Sequence, residues 1–454
     1  MRAYYTGCKR TTPTLSIVLT KSVLFKILVP WADIPGCGRP ALRLSNFSNG
    51  FSVGIMAKGG TAMKHQPIML LAAALALVMF WMGCDLNIIS PFLMDISRSY
   101  RVSVATTGWL VTSFAAGYAL ASPMAGWFSD RFGRLPTLAI SMGVFVIFEV
   151  LSGLAPNMTT ALTARALAGV SAGGVSPVAY AMVGDWVKKQ DRSGVMSILS
   201  IGFSVSTVAG VPLGLWLASA VGWRATLISI GGALFVTGTG LLLIARKFPR
   251  VTSPIVPRHG TLLSVIESTW PQLTASFMAF AAAGLVYTYL PTTLVRRGIP
   301  HTWWLMLILA GYGVFNLAGN LVFGRAGDRI GPRRTVLAAQ ILEIASVGGI
   351  LVSALFLSVV FLIVSAWIFA FCQAYIPDLK ALAADVATYW RGSSLALNNT
   401  AMYAGMMVGS AIGTRLYRPG TFWVLAMAAG VAILIGFGTM SWIRLGERQK
   451  IQQA

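Results

Sequence analysis

The amino-acid sequence predicts an all-α membrane protein in which twelve transmembrane helices form two pseudo-symmetric six-helix bundles. Three observations support this class: a high content of apolar residues, their grouping into long runs, and a charged motif that occurs once in each half. Of the 454 residues, 56% are hydrophobic and 11% are charged, and the mean hydropathy is +0.73. Soluble domains have about 25% charged residues, so this composition excludes a soluble globular protein.

Apolar runs that are long enough to cross a membrane recur along the whole chain. A helix of about 18 residues or more can span a hydrocarbon core that is roughly 30 Å thick. We number the predicted spans 1 to 12. They lie near residues 67–92, 105–127, 135–155, 160–186, 193–219, 224–245, 268–292, 303–324, 335–356, 359–383, 392–416 and 421–443. The abundance of glycine, with 47 residues, is typical of helices that pack closely within a membrane.

The net charge of +22 follows membrane topology and does not indicate a surface for nucleic acid. If the chain enters the membrane from the cytoplasm after Met63, the predicted cytoplasmic loops and tail contain seventeen Arg and Lys residues, against seven in the outer loops. This bias is the positive-inside rule. It predicts a multi-pass protein of the cell (inner or plasma) membrane with both termini in the cytoplasm and the lipid bilayer as its surroundings.

Residues 1–62 differ from the rest of the chain. They are basic, and their apolar stretch is interrupted by Lys21 and Lys26, which makes a spanning helix unfavourable. One interpretation is a disordered, targeting or amphipathic segment at the membrane surface. The other is a translation start assigned upstream of a true initiator at Met63, which directly precedes the first clean span.

The charged motif Gly-x-x-x-Asp-Arg-x-Gly occurs between spans 2 and 3 and again between spans 8 and 9. Its copies are "GWFSDRFGRLPTL" from Gly126 and "GRAGDRIGPRRTV" from Gly324, and their first glycines are 198 residues apart. The chain is therefore interpreted as a tandem duplication. The predicted parts are the bundles 63–247 and 262–446, a cytoplasmic linker 248–261 and a cytoplasmic tail 447–454. Six spans in each half make the repeats parallel, as in many secondary transporters.

These motifs carry a resemblance to a known family. "GWFSDRFGR" resembles the signature loop of the major facilitator superfamily, and "RALAGVSAGG" from Arg165 resembles its helix-4 motif. "AGVPLGLWLASAVGWRAT" from Ala209 resembles the helix-5 motif of its exporters, and "RGSSLALNNTAMYAGMMVGSAIG" in span 11 looks most like the arabinose-efflux-permease-like branch of the drug:proton antiporters. The resemblance covers about residues 65–446. It implies the major facilitator fold, alternating access and a monomer that exports a small molecule in exchange for protons.

The resemblance also implies that the two motif loops gate the cytoplasmic side. The residues expected to form these gating loops are Gly126, Asp130, Arg131, Gly133, Arg134, Asp185, Gly324, Asp328, Arg329 and Gly331. Their glycines permit a tight turn and close packing against a neighbour. Asp130 is expected to face the positive N-terminal end of helix 11, and Asp328 that of helix 5. The alternative is a loop that sets topology and only packs.

A charge relay behind each loop is the second implication. Arg134 is expected to pair with Asp185 at the inner end of helix 4, as the relay of the family implies. The contacts of the loops and the relay would close the cytoplasmic side and break when it opens. The second copy has Pro332 in the place of Arg134, so a pairing of Asp385 with Arg333, or with the arginine after it, is left open.

Acidic residues inside the spans are candidates for proton coupling. A charge at the centre of a membrane costs roughly 2.5–3.5 kcal/mol on insertion scales, so such residues tend to be functional and partnered. Asp85 in span 1 and Arg165 in span 4 overlap in depth to within about one helical turn, which predicts a proton-binding pair. A static helix–helix contact is the alternative. Glu149 lies at a similar depth and is open to a proton-binding or a packing role, as is Glu343 in span 9.

Helix 5 and the remaining polar residues complete the candidates. Pro212 removes a backbone donor, and Gly210 and Gly214 allow a neighbouring helix to pack against the resulting bend. Polar groups that are expected to face a central substrate cavity, or equally to join helices to each other, are Asn87, Tyr287, Tyr289, Asn316, Asn320, Asn398 and Asn399.

The sequence offers no support for an enzyme, a metal or a cofactor. Its three histidines lie near membrane edges, and neither a phosphate-binding Walker loop nor a Gly-x-Ser-x-Gly elbow is present. The expected function is secondary active export of a small organic solute (a sugar, drug or metabolite) by proton antiport. The alternatives are proton-coupled uptake by symport, and a non-transporting membrane sensor or assembly protein that is built on the same fold.

Overall fold

The structure is a computed structural model that describes residues 65–187, 192–248, 262–299, 303–386 and 391–452, and nearly all of these residues are helical. The segment 1–62 and almost all of the predicted linker lie outside the described residues. We label the long helices α1 to α12 in chain order.

The N-terminal half contains six of these helices within the described residues. Helix α1 is His65–Tyr100, and a one-turn helix, Val104–Thr107, leads into α2, Trp109–Phe132. Helix α3 is Arg134–Leu154 and α4 is Met158–Trp186. Helix α5 starts with Arg192–Val205, passes through a π-helical turn at Ser206–Gly210 and continues into Val211–Ala245. Gly222, with φ 83° and ψ 162°, breaks that last segment, so we assign the residues before it to α5 and those after it to α6.

The described part of the C-terminal half repeats this arrangement. Its helices are α7, Leu262–Arg296; α8, Trp303–Ile330; α9, Pro332–Leu355; α10, which joins Val359–Cys372 through a 3-10 turn at Gln373–Tyr375 to Ile376–Val386; α11, Arg391–Leu416; and α12, Phe422–Gln452. Helix α12 continues into the predicted tail, whose Glu, Arg, Gln and Lys residues are good helix formers.

The helices account for the twelve predicted spans. Ten segments of the described residues are long and apolar enough to cross a membrane. One of them, residues 194–245, is 52 residues long and contains both α5 and α6 on either side of Gly222. Helix α11 is absent from the ten because small and polar residues lower its hydropathy, which suits a helix enclosed by α2 and α7. The predicted all-α fold class with two six-helix halves is confirmed.

Glycines allow the closest approaches between helices. A Cβ atom at Gly169 of α4 would collide with the backbone of Phe114 in α2, and one at Gly409 of α11 would collide with the backbone of Ala281 in α7. Backbones this close gain favourable dispersion energy, and a larger side chain at these positions would hold them apart. This close packing stabilises helix association in a membrane, where lipid supplies no hydrophobic driving force between helices.

The two halves contact each other through α2 with α11 and through α5 with α8. We call the end of the bundle with the α2–α3 and α8–α9 turns the motif end, and the other the far end. Thr112 and Ser410 share a 2.8 Å hydrogen bond, and the rings of Tyr118 and Tyr403 stack with centroids 3.5 Å apart. A Cβ atom at Gly313 would lie 2.6 Å from the backbone of α5. These contacts extend from the middle of the helices toward the far end, so the halves are packed together there.

Candidate functional site

Three charged side chains meet inside the N-terminal half. Asp85 of α1 and Glu149 of α3 are 0% exposed, and Arg165 of α4 is 2% exposed. Nη1 of Arg165 donates a hydrogen bond to Oδ1 of Asp85 and another, 3.0 Å long, to Oε2 of Glu149. The guanidinium also lies over the ring of Phe114 in α2, 4.5 Å from its centroid. Four helices therefore enclose one cation and two carboxyl groups.

The charges in this buried cluster balance only if it holds a proton. With both carboxyl groups ionised the cluster would carry a net charge of −1, and an uncompensated buried charge is strongly unfavourable. One bound proton makes the cluster neutral. Oδ2 of Asp85 and Oε1 of Glu149 are buried and have no hydrogen-bond partner among the described residues, so each carboxyl group has an oxygen available for the proton.

The predicted association of Asp85 with Arg165 is present in the structure, and Glu149 joins it. The packing of α3 against α4 gives Glu149 its access to the guanidinium. Asp85 and Glu149 thus share the same nitrogen atom of Arg165, an arrangement that the sequence left open.

The helix-5 motif packs against α1, the helix that carries Asp85 of the cluster. A Cβ atom at Gly214 would lie 2.5 Å from Cδ1 of Ile88, and one at Gly210 would collide with Sγ of Cys84. Both contacts are with α1, on either side of Asp85 in the sequence. The π-helical turn Ser206–Gly210 ends two residues before Pro212. Proline has no N–H, so it cannot donate the hydrogen bond that a regular helix requires at its position. The bend and the small residues therefore position α1 and its carboxylate.

The turns of the two motif loops require glycine. Gly133 has φ 93° and ψ 153°, and Gly331 has φ 89° and ψ 144°, a backbone conformation that side chains with a Cβ atom rarely adopt. The first glycines behave differently from the expectation. A Cβ atom at Gly126 or Gly324 would meet nothing within 4 Å, so none of the described helices packs closely against these two positions in this conformation.

The predicted pair of Arg134 and Asp185 is formed, with Nε of Arg134 2.9 Å from Oδ2 of Asp185. Nη1 of Arg134 also donates to Oγ of Ser129 at 2.5 Å. This pair joins the start of α3 to the end of α4. Both helices belong to the N-terminal half, so this pair does not itself connect the halves. The expectation that the contacts of the loops and the relay close the cytoplasmic side, and break when it opens, stays a prediction.

The second loop uses its arginine in another way. The guanidinium of Arg333 donates to the backbone carbonyl oxygens of Met440 and Ser441 near the end of α12. Arg131, Asp328 and Arg329 are exposed at the motif end. The side chains of Asp130 and Asp385 lie outside the described residues, so their expected contacts stay predictions.

The polar residues that were expected in a substrate cavity divide into two groups. Tyr289 and Asn398 are fully buried between α7 and α11, where Tyr289 donates to Thr414 and Asn398 to Ser276. They join helices and do not line a cavity in this conformation. Asn316 likewise donates to the carbonyl oxygen of Ala370 in α10 at 3.0 Å.

The residues of the second group are only partly buried. Tyr287 of α7 donates to the backbone oxygen of Asn87 in α1 at 3.4 Å, and the amide of Asn87 donates to Gly83 of its own helix. Asn320 donates to Asn316 one turn earlier. Asn399 is half-buried on α11. These residues remain candidates for contact with a substrate.

The stack of Tyr118 and Tyr403 is a feature that sequence reasoning missed. It joins α2 to α11 near the middle of the bundle. A tyrosine at the centre of each of two apolar spans was the available signal. Among the described residues, no group of three or more His, Cys, Asp or Glu side chains is placed to hold a metal ion.

Comparisons with known proteins agree with this architecture. The family model of the Major Facilitator Superfamily matches residues 75–310 and 304–454. The uncharacterized MFS-type transporter YceJ of Bacillus subtilis (strain 168) is 29% identical over 353 residues, which cover 75% of this chain and 87% of YceJ. The inner membrane transport protein YdhP of Escherichia coli (strain K12) is 24% identical over 386 residues, or 80% of this chain and 94% of YdhP.

Solved structures show the same fold. The POT family transporter PepTSo superposes with a TM-score of 0.71 and covers 85% of this chain and 99% of its own, at 14% sequence identity. At that identity the likeness concerns the fold alone.

Proposed function

The chain belongs to the Major Facilitator Superfamily, and from that premise we propose that it exports a small organic solute across the cell membrane in exchange for protons. Its relatives are membrane transport proteins. The observation that carries the proposal is the buried cluster of Asp85, Glu149 and Arg165, which has one carboxyl group more than it has cations. A proton is the smallest ligand that restores neutrality to the cluster.

The proposed cycle uses the two ends of the bundle alternately. With the motif end in the cytoplasm, as the distribution of basic residues predicts, packing of the halves at the far end corresponds to an inward-facing state. A solute enters from the cytoplasm as the cluster releases its proton. After the halves rock to the outward-facing state, a proton from outside neutralises Asp85 and weakens its hold on Arg165. The protein then returns without the solute.

The helix-5 motif supports export over uptake. Gly210, Pro212 and Gly214 resemble the exporter motif of the superfamily and pack directly against the helix that carries Asp85. A shift of α5 during rocking would therefore move this carboxyl group relative to Arg165. The solute class of sugar, drug or metabolite, the monomeric state, the cytoplasmic termini and the independence from cofactors belong to the same proposal.

Transport by reconstituted protein tests the coupling. Proteoliposomes with an imposed pH gradient are screened with labelled sugars, amino acids and cationic dyes, and we expect movement of at least one solute against its gradient and opposite to the protons. Asp85→Asn should abolish this accumulation while solute exchange persists, because the amide mimics a permanently neutral carboxyl group. Asp85→Glu should retain partial coupling.

The matched control is Asp95→Asn on the same helix. The side chain of Asp95 is 33% exposed and lies 3.7 Å from Arg98 near the end of α1, so its loss should leave accumulation intact. Accumulation by Asp85→Asn at the wild-type level would exclude Asp85 as the coupling acid and direct the test to Glu149→Gln. Solute movement in the same direction as the protons would replace antiport with symport.

A further inference from the structure

The C-terminal half contains a second buried carboxyl group, which has a different environment. Glu343 of α9 is 0% exposed. One of its oxygens accepts a hydrogen bond from Nε2 of Gln373, and the other accepts one from the hydroxyl of Tyr375 at 3.1 Å. Both donors are neutral. No Arg, Lys or His among the described residues pairs with Glu343, whereas Arg165 serves both acids of the N-terminal cluster.

Among the described residues, the other titratable groups that interact with Glu343 are two phenols and a thiol, which are neutral near pH 7. They are the phenol of Tyr312 on α8 and the thiol of Cys372 on α10, together with Tyr375 itself. Helix α12, which also packs against α9, contributes no titratable side chain between residues 422 and 442. An ionised Glu343 would therefore be an uncompensated anion inside the membrane, which is strongly disfavoured.

The hydrogen-bond pattern also favours a protonated Glu343. Nε2 of Gln373 donates to Ala279 of α7 as well as to Glu343, which fixes the orientation of that amide. A protonated Glu343 can donate to the hydroxyl oxygen of Tyr375 across the same 3.1 Å contact. The neutral acid thus keeps both hydrogen bonds without leaving a charge buried.

The two donors lie at the point where α10 is interrupted. Gln373 and Tyr375 are the first and last residues of the 3-10 turn between Val359–Cys372 and Ile376–Val386. A change in the bend of α10 would move both donors away from the carboxyl group and expose it to water. Short 3-10 segments within long helices often mark such hinges.

We propose that Glu343 is a second proton-binding site, located in the C-terminal half and covered or uncovered by the turn Gln373–Tyr375. It is separate from the cluster of Asp85, Glu149 and Arg165. It does not depend on the solute, since the site is defined by the carboxyl group and its neutral partners. Its proton exchanges with water only when α10 bends.

Infrared spectroscopy of the reconstituted full-length chain tests proton binding. The background variant Asp85→Asn/Glu149→Gln removes the acids of the first cluster. The remaining glutamates are Glu267, Glu343 and Glu447, of which Glu267 is exposed. We expect a carboxylic-acid C=O band at pH 7 that shifts when glutamate is labelled with ¹³C at the carboxyl carbon, and that disappears when Glu343→Gln is added. The label identifies the band even if Glu343→Gln does not fold.

The absence of a label-sensitive acid band at pH 7 would overturn the proposal, because Glu343 would then be ionised. Antiport is measured separately with the wild-type protein, because Asp85→Asn in the background variant is itself expected to abolish proton-driven accumulation. Wild-type protein that exchanges no solute for protons would contradict the proposed antiport, while an acid band in the background variant would still support the second site. Antiport by the wild type without an acid band in the background variant would support the proposed function and overturn the second site.

Hydrogen–deuterium exchange of the same band tests the role of the turn. Gln373→Leu, added to the background variant, removes one of the two hydrogen-bond donors to Glu343. We expect the carboxylic-acid proton of Glu343 to exchange in D₂O several-fold faster than in the background variant. Gln272→Leu on α7 is the matched control, since Gln272 is also a buried glutamine but is not a partner of Glu343. Equal exchange rates for the two variants would show that the turn does not control access to the site.

Discussion

Arg165 supplies the positive charge that compensates the buried carboxyl groups of the N-terminal half. Its guanidinium contacts both Asp85 and Glu149 and stacks on Phe114. Removing one member of a buried ion pair leaves its partner uncompensated, whereas removing all members can be nearly neutral. Arg165 is thus both a stabilising residue and the one positive charge that the two carboxyl groups share.

This role predicts a large loss of stability followed by a rescue. Arg165→Met should lower the free energy of unfolding by about 3–5 kcal/mol, because two carboxyl groups remain buried without a cation. Adding Asp85→Asn and Glu149→Gln should restore much of this stability while proton-driven transport stays absent. Thermal unfolding in detergent measures both effects. A triple variant as unstable as Arg165→Met would show that packing around the guanidinium, and not its charge, stabilises this region.

At the scale of elements, the turns between helices depend on backbone conformation more than on side-chain contacts. The α2–α3 turn reverses the chain within one residue at Gly133, and the α8–α9 turn does so at Gly331. The two copies of the motif thus have nearly the same φ and ψ at equivalent positions. In contrast, the first glycine of each motif lies within a helix and has open space around it.

Alanine substitutions in the first loop should separate these two uses of glycine. Gly133→Ala should cost about 1–3 kcal/mol, because φ 93° with ψ 153° is accessible essentially to glycine alone. Gly126→Ala is the matched control and should be neutral or stabilising by about 0.5–1 kcal/mol, since alanine is the better helix former. Unfolding of the purified variants provides the comparison. Equal stabilities would mean that the turn relaxes to accept a side chain.

At the scale of the whole molecule, the contacts described above between the halves lie between the middle of the bundle and the far end. Thr112 and Ser410 hydrogen-bond across the halves, and Tyr289 occupies the space beside Gly108 where α2 begins. Alternating access requires that contacts of this kind break once in each cycle. In the proposed cycle, the far end is therefore the gate that is shut in this conformation.

A disulfide across this gate should lock the transporter. With the native cysteines replaced, Thr112→Cys/Ser410→Cys places two thiols where the hydroxyl oxygens are 2.8 Å apart. Oxidation should abolish solute transport, and a reductant should restore it, because the halves can no longer separate at the far end. Each single variant serves as a control. Undiminished transport by protein that is fully cross-linked would show that this contact does not open during the cycle.

The sequence alone determined the features that depend on composition and local conformation. The lengths of the apolar runs predicted the spans, the repeated motif predicted the two halves, and the glycines at 133 and 331 predicted the tight turns. Each of these follows from what a single segment must do: a helix must cross about 30 Å of hydrocarbon, and a residue at positive φ must be able to adopt it.

Only the tertiary structure decided which side chains meet. In the structure Glu149 contacts Arg165, and Arg333 contacts the end of α12. Tyr289 and Asn398 lie in the interface between α7 and α11. In a soluble helix the apolar stripe shows which face is buried. In a membrane the lipid-facing and protein-facing sides are both apolar, so the rotation of each helix is set by the close packing of small residues with its neighbours, and the sequence of one helix does not contain that information.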